Sequence, residues 1–283
     1  IYREEDIEKI KNHKGDIYIF WCGNDANIES KKRIENINTI NNLNIKYNLC
    51  EKSNIYYNLR KLDVHNLIGL NLTLPFVFII SSYNNQKWYK KNLDSVLNQK
   101  YKYWRIIYID DCSTDNTYNL VSKYIIDNNI ESKTTLIRNN NNYKQAYSRY
   151  IAFKKCNDYE ICCLLDGDDW LYDDLVLENI SQIYKNNNIL VTYGKYQYYD
   201  EGKPKSIGGW RSYPEEVICN NSYQHHNLWV ATHLRTGYAN IFKSYPYEYI
   251  LDHNNELFEA STDVNEMMWV LNQCNGKHRN HED

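Results

Sequence analysis

The sequence predicts an α/β chain built on a doubly wound, mostly parallel sheet, preceded by a small α/β unit. Three observations predict it. From Pro75 onward, apolar runs of strand length alternate with segments of helical spacing, the order that gives parallel strands joined by helical crossovers. The runs Phe76–Ile80, Arg105–Ile109 and Ile161–Leu165 show little polar alternation, as expected of strands covered on both faces. Each run also stops abruptly in polar or acidic residues, where such a sheet meets solvent and ligand.

The 283 residues are enough for one large domain plus a companion. A hydrophobic share of 42% supports a core, and the 28 tyrosines supply much of its bulk while keeping mean hydropathy at -0.73. A net charge of -3 gives no whole-chain footprint for nucleic acid or an anionic membrane. No apolar run approaches the length of a bilayer span. The eight cysteines are scattered with no CxxC pair, which argues against a zinc pattern or a disulfide framework and favours free thiols in a reducing, cytoplasmic setting. The chain opens on Ile1 without an initiator Met or a secretory pattern and ends at Asp283 without a closing signal, so a piece of a longer polypeptide is expected.

Residues 1–73 read as the accessory unit. Gly15 to Phe20 is a predicted strand, Ser30 to Leu43 has helical spacing, and Ile45 to Leu49 is a second strand. No chemical constellation stands out there. Residues 74–283 form the main domain. Phe76 to Ile80 is followed by a helix with Leu93, Val96 and Leu97 inward. Arg105 to Ile109 leads to a helix striped by Tyr118, Val121, Tyr124 and Ile125, with Ser113 or Thr114 as its cap. Thr134 to Ile137 is a short strand, Lys144 to Lys155 a helix, and Ile161 to Leu165 the strand before Asp166. A helix over Asp173–Lys185, a long strand over Ile189–Tyr199, a glycine-containing loop over 202–213 and a final helix over Val264–Gln273 complete the expectation.

Two strand ends carry candidate chemistry. The first ends in Ser81-Ser82-Tyr83-Asn84-Asn85 without glycine. A dinucleotide fold needs GxGxxG there so that its backbone can approach a pyrophosphate, so NAD and FAD are disfavoured. A polar and aromatic strand end suits a mononucleotide base instead: Tyr83 to stack on it, and Asp111 to accept the imide N–H that uracil offers and cytosine lacks. Ordinary turn residues explain each position equally well when taken singly. The second stretch, Asp166-Gly167-Asp168-Asp169, crowds three carboxylates. Their mutual repulsion calls for a positive partner, most simply a divalent cation. An EF-hand fails, because Leu171 and Leu177 occupy the positions that need Gly and Glu. A dehalogenase-type phosphatase also places DxD after a strand, but usually the first one, with Thr or Val where Trp170 stands. Simple capping of the next helix leaves Asp166 and Asp168 unexplained.

Taken together, FVFIISSYNN, WRIIYIDDCSTDNT and ICCLLDGDDW resemble the family 2 glycosyltransferases of GT-A fold, from Phe76 to roughly the chain end. The resemblance implies an inverting, metal-dependent transferase that moves a sugar from a UDP-sugar to a hydroxyl on a protein or glycan. It assigns Ser81, Tyr83 and Asp111 to the uridine, and Asp166 and Asp168 to a cation, usually manganese, alternatively magnesium. It assigns the catalytic base to Asp263, although Thr262 stands where Glu is usual. His278 takes the place of a third metal ligand in some members. Trp229–Thr236 resembles a segment lining the acceptor side, with Arg235 toward a phosphate or an acidic acceptor. Lys144 would contact the diphosphate, in a stretch where Tyr143 replaces the usual Gly. A donor-binding module without transfer activity is the alternative from another class.

Overall fold

The structure is a computed structural model. It describes residues 17–21, 45–49, 74–186, 189–200, 203–209, 211–225, 229–258, 262–274 and 276–281. The chain divides into two units, Ile1–Thr73 and Leu74–Asp283. In the first, strands β1 (Ile17–Trp21) and β2 (Ile45–Leu49) pair in parallel, Ile17 opposite Ile45. The helix expected over Ser30–Leu43 lies outside the described residues.

The second unit carries a seven-stranded sheet. In chain order its elements are β3 (Phe76–Ser82), α1 (Tyr89–Leu97), β4 (Trp104–Asp110), α2 (Thr117–Asp127), β5 (Thr134–Arg138), α3 (Lys144–Phe153), β6 (Ile161–Asp166), α4 (Val176–Asn186) and β7 (Val191–Gly194). Then come β8 (Tyr196–Asp200), β9 (Lys203–Gly208), α5 (Glu215–Cys219), β10 (Thr232–Tyr238), α6 (Ala239–Lys243), α7 (Thr262–Cys274) and β11 (His278–Asn280). The sheet order is β11-β7-β10-β6-β3-β4-β5. All its strands run in one direction except β10, which is antiparallel to β6 and β7.

Side-chain alternation sorts the apolar runs into two layers. Val77, Ile79, Ile107, Ile109, Cys162 and Leu164 face one side and pack with Phe153, Phe242, Met267 and Leu271. Phe76, Phe78, Ile80, Ile106, Tyr108, Cys163 and Leu165 face the other, against Leu93, Val96, Val121 and Ile180. Both faces of the central strands are therefore dry, which is why their sequence shows so little polar relief. Among the described residues, no helix is long and apolar enough to cross a membrane.

Three expectations change. The long strand over Ile189–Tyr199 is two strands: β7 joins the sheet, whereas β8 leaves it and pairs with β9 as a separate hairpin. Part of the expected glycine-containing loop is thus β9. Tyrosine misleads here, because it serves equally in a core or on a wet surface, and Tyr198 is 58% exposed. Neither Ser113 nor Thr114 caps α2. The N-cap position is Asn116, whose side chain makes no capping bond; the Asp115 carboxylate before it accepts from the Thr117 amide at 2.9 Å, while the Ser113 hydroxyl accepts the Asn84 amide.

Candidate active site

The C-terminal ends of β3, β4 and β6 lie side by side, with Ser81 opposite Asp166 and Ser82 opposite Asp110. Beyond β6 the chain turns sharply over Gly167, whose amide donates to the Ser81 carbonyl. A Cβ at Gly167 would sit 2.6 Å from the Ser82 side chain, so only glycine lets the turn press this close. From α1, the buried Asn92 amide donates to the carbonyls of Asp166 at 2.8 Å and Asp169 at 2.7 Å, pinning both ends of the acidic turn.

Asp166, Asp169 and His233 each offer a ligand atom, all within 4.8 Å of one another. His233 comes from β10, and the reversal of that strand is what brings its N-terminal end to the tips of the parallel strands. The Asp166 carboxylate also accepts from Gln145 at 2.9 Å and from Arg149, both on α3. Burial pushes the Asp166 carboxyl up, but Arg149, with Arg235 behind it, holds it below the ordinary carboxylate range. Partial desolvation of a side chain that keeps 50% of its surface open, reinforced by the neighbouring Asp166 and Asp168, raises Asp169 to about 7. Asp168 is likewise raised by burial and by Asp166. Burial and the Arg235 charge lower His233 to about 4, leaving a neutral imidazole lone pair. Two carboxylates and a neutral imidazole suit a divalent cation of the manganese type, and the raised Asp169 and Asp168 mark acids short of positive charge. The residues present therefore fit such an ion.

A second layer joins this turn to α7. Arg235, 1% exposed, donates through Nη1 to Asp263 Oδ2 at 2.9 Å. Arg149 approaches the buried Glu266 at 3.8 Å, whose carboxyl burial raises to about 7. The Thr262 hydroxyl donates to Gln145 Oε1 at 3.3 Å. Asp263 itself is partly open, with 29% of its side chain exposed.

Asp168, expected beside Asp166 as a cation ligand, is not one of the three clustered ligand residues, and Asp169 takes that place. Asp111 is buried at the end of β4 and accepts from Asn139 at 2.7 Å and from the Tyr143 amide at 2.9 Å. Ser81 is buried beside the acidic turn, and Tyr83 is 43% exposed just past β3. Lys144 opens α3 with a φ of 69°, where glycine would be at ease. Arg235 faces Asp263 rather than open solvent. The structure does not bring His278 to Asp166. His278 pairs with Val191, Val191 with Gly237, and Gly237 with Cys162, four residues down β6 from Asp166, or roughly 13 Å along the strand. There His278 accepts or donates a 2.8 Å bond with the Tyr223 hydroxyl, against the rings of Tyr193 and Tyr213.

Sequence reasoning did not single out Asn92, Asn139, Gln145, Arg149, His233 or Glu266, and took Asp169 only as one of three crowded carboxylates. Gln145 and Arg149 are spaced i,i+4 on one helix face, and His233 and Arg235 are spaced i,i+2 on one strand face. Those spacings were the available signal. The phosphatase alternative fails on topology as well as kinship, since Asp166 closes the fourth strand of this sheet in chain order rather than the first.

Comparison with known proteins supplies the kinship. The chain is 32% identical over 142 residues to the UDP-Glc:alpha-D-GlcNAc-diphosphoundecaprenol beta-1,3-glucosyltransferase WfgD of Escherichia coli, covering 50% of this chain and 52% of that protein. It is 30% identical over 171 residues to WfaP of Escherichia coli, which carries the same activity name, covering 60% and 63%. The chain thus spans only part of the length of these relatives. The crystal structure of S. aureus TarS 1-349 in complex with UDP superposes with a TM-score of 0.50 at 19% identity, over 70% of this chain and 56% of that one, a likeness of GT-A fold alone. The family profile described as "Glycosyl transferase family 2" matches residues 77–251, and the chain belongs to that family.

Proposed function

We propose that this chain transfers a sugar from a UDP-sugar to a hydroxyl acceptor with inversion at the anomeric carbon. The observation that carries the proposal is the convergence of Asp166, Asp169 and His233 at the strand ends, with the half-open Asp263 tied beside them by Arg235. Two relatives named as using a UDP-sugar support the donor class.

Asp166, Asp169 and His233 would hold a divalent cation, with Asp168 on the same turn. When bound, such an ion supplies positive charge for the departing diphosphate. Ser81, Tyr83 and Asp111 form the uridine side. Asp111 keeps its orientation through Asn139 and Tyr143, and the exposed Tyr83 ring offers a stacking face. Asp263 takes the proton of the acceptor hydroxyl, whose oxygen bonds to the anomeric carbon as the carbon–oxygen bond to the diphosphate breaks and UDP leaves. Arg149 and Gln145 hold Asp166 in place throughout. Which sugar is carried and which acceptor receives it depend on the walls of the site, including the stretch around Gly208, Gly209 and Arg235.

The test is UDP release from a panel of UDP-sugars in the presence of manganese. Release is expected with at least one sugar, and Asp263→Asn is expected to lower the rate roughly 100-fold or more while UDP binding persists. Thermal stabilisation by UDP and manganese with no release from any sugar would instead make the chain a donor-binding module.

A further inference from the structure

We propose that Arg235 is the positioning residue for the base: it fixes the Asp263 carboxylate and links it to the His233 imidazole, and it does not bind donor phosphate. The proposal rests on the transferase reading above.

Arg235 lies on β10, two residues from His233 and on the same strand face. Its side chain is buried to within 1%, so it has almost no surface to offer an incoming diphosphate. Nη1 is spent on Asp263 Oδ2 at 2.9 Å. Nη2 lies 3.4 Å from both ring nitrogens of His233, too even a spacing for an ordinary bond to either and a sign that the guanidinium is packed against the ring. Nε is buried with no hydrogen-bond partner among the described residues. A second guanidinium, Arg149, stands behind it and takes Asp166 and Glu266, so neutralising the buried acids does not by itself require Arg235.

Among the described residues, Arg235 ties the first turn of α7 to β10 through Asp263. A planar guanidinium holds a carboxylate at a fixed angle, which a flexible ammonium cannot. Asp263 otherwise sits at the mouth of a helix with 29% of its side chain open, free to change rotamer. One ångström of drift in a base costs up to about 100-fold in rate. The same side chain touches a candidate cation ligand on one side and the base on the other, which sets the distance between the two halves of the site.

The test uses the full chain and four proteins: wild type, Arg235→Lys, Asp263→Asn and the double variant. UDP affinity in the presence of manganese is read by calorimetry, and UDP release from the best donor gives kcat. For Arg235→Lys, UDP affinity within twofold of wild type and a kcat lowered roughly 10- to 100-fold are expected. On the Asp263→Asn background, Arg235→Lys is expected to cost no more than a further twofold, because it acts through the group already removed. A tenfold loss of UDP affinity with kcat retained would make Arg235 a donor ligand and overturn the proposal, as would losses that multiply in the double variant. If Arg235→Lys lacks a cooperative thermal transition, Arg235→Gln, whose amide can still donate to Asp263, answers the same two questions by the same two readouts. A wild type that releases UDP from no donor overturns the transferase reading itself, an outcome distinct from a working wild type indifferent to Arg235.

Discussion

Asp169 and His233 show how single residues acquire a role from their surroundings. Asp169 keeps half of its side chain exposed and His233 a third, yet partial desolvation and the neighbouring acids hold Asp169 at about 7 while desolvation and Arg235 hold His233 at about 4. His233→Ala is therefore expected to weaken manganese-dependent UDP binding roughly 10-fold or more, whereas His278→Phe leaves it unchanged; calorimetry separates the two. Glu266 gives a pH signature. Its folded-state carboxyl is raised from 4.5 to about 7 by burial, so the native state holds a proton that the unfolded chain releases. Stability from this group is present below about pH 4.5 and is lost as pH rises through 7. Metal-free wild type is expected to lose on the order of 2 to 3 kcal/mol between pH 5 and pH 8 through this group, and Glu266→Gln to lose correspondingly less, as read by denaturant unfolding at the two pH values. From sequence, the strand-end positions of Asp166 and Asp111 were legible because acids after an apolar run break a strong pattern. His233 and Glu266 were not, because one histidine in the mixed run Trp229–Thr236 and one acid within a helix break no pattern.

Elements show the same division. The parallel strands β3, β4 and β6 were readable to within a residue or two because both of their faces are covered and the apolar run has sharp ends. The hairpin of β8 and β9 was not, since its stability comes from contacts the sequence does not announce. Tyr199 meets the edge of Trp170 at 5.1 Å, Trp170 stacks on Trp88 at 5.8 Å, and the Lys91 ammonium lies 3.5 Å from the Trp170 ring centre and 4.0 Å from that of Tyr199. Tyr196 meets the His233 ring edge-on at 5.9 Å. This aromatic clasp ties the hairpin to the acidic turn, one residue past Asp169. Trp170→Ala is expected to cost roughly 1 to 3 kcal/mol and to raise amide exchange selectively over residues 196–208, leaving β3 and β4 protected in a mass-spectrometric exchange experiment.

At the scale of the molecule, the seven strands of the main sheet lie after Thr73, and among the described residues so do both core layers. Residues 74–283 expressed alone are expected to unfold cooperatively and to bind UDP with manganese within twofold of the full chain, as measured by thermal melts and calorimetry. A tenfold weaker affinity would give the N-terminal unit a part in the donor site. The place of β10 in the sheet also bears on how the protein is made. It slots between β6 and β7 although it leaves the ribosome some seventy residues after β6. Until it arrives, Ile161–Leu165 present a bare hydrogen-bonding edge of apolar residues, a template for pairing with another nascent chain. A polypeptide terminated before Thr232 keeps that edge permanently open, so aggregation is the expected fate of premature stops in this stretch.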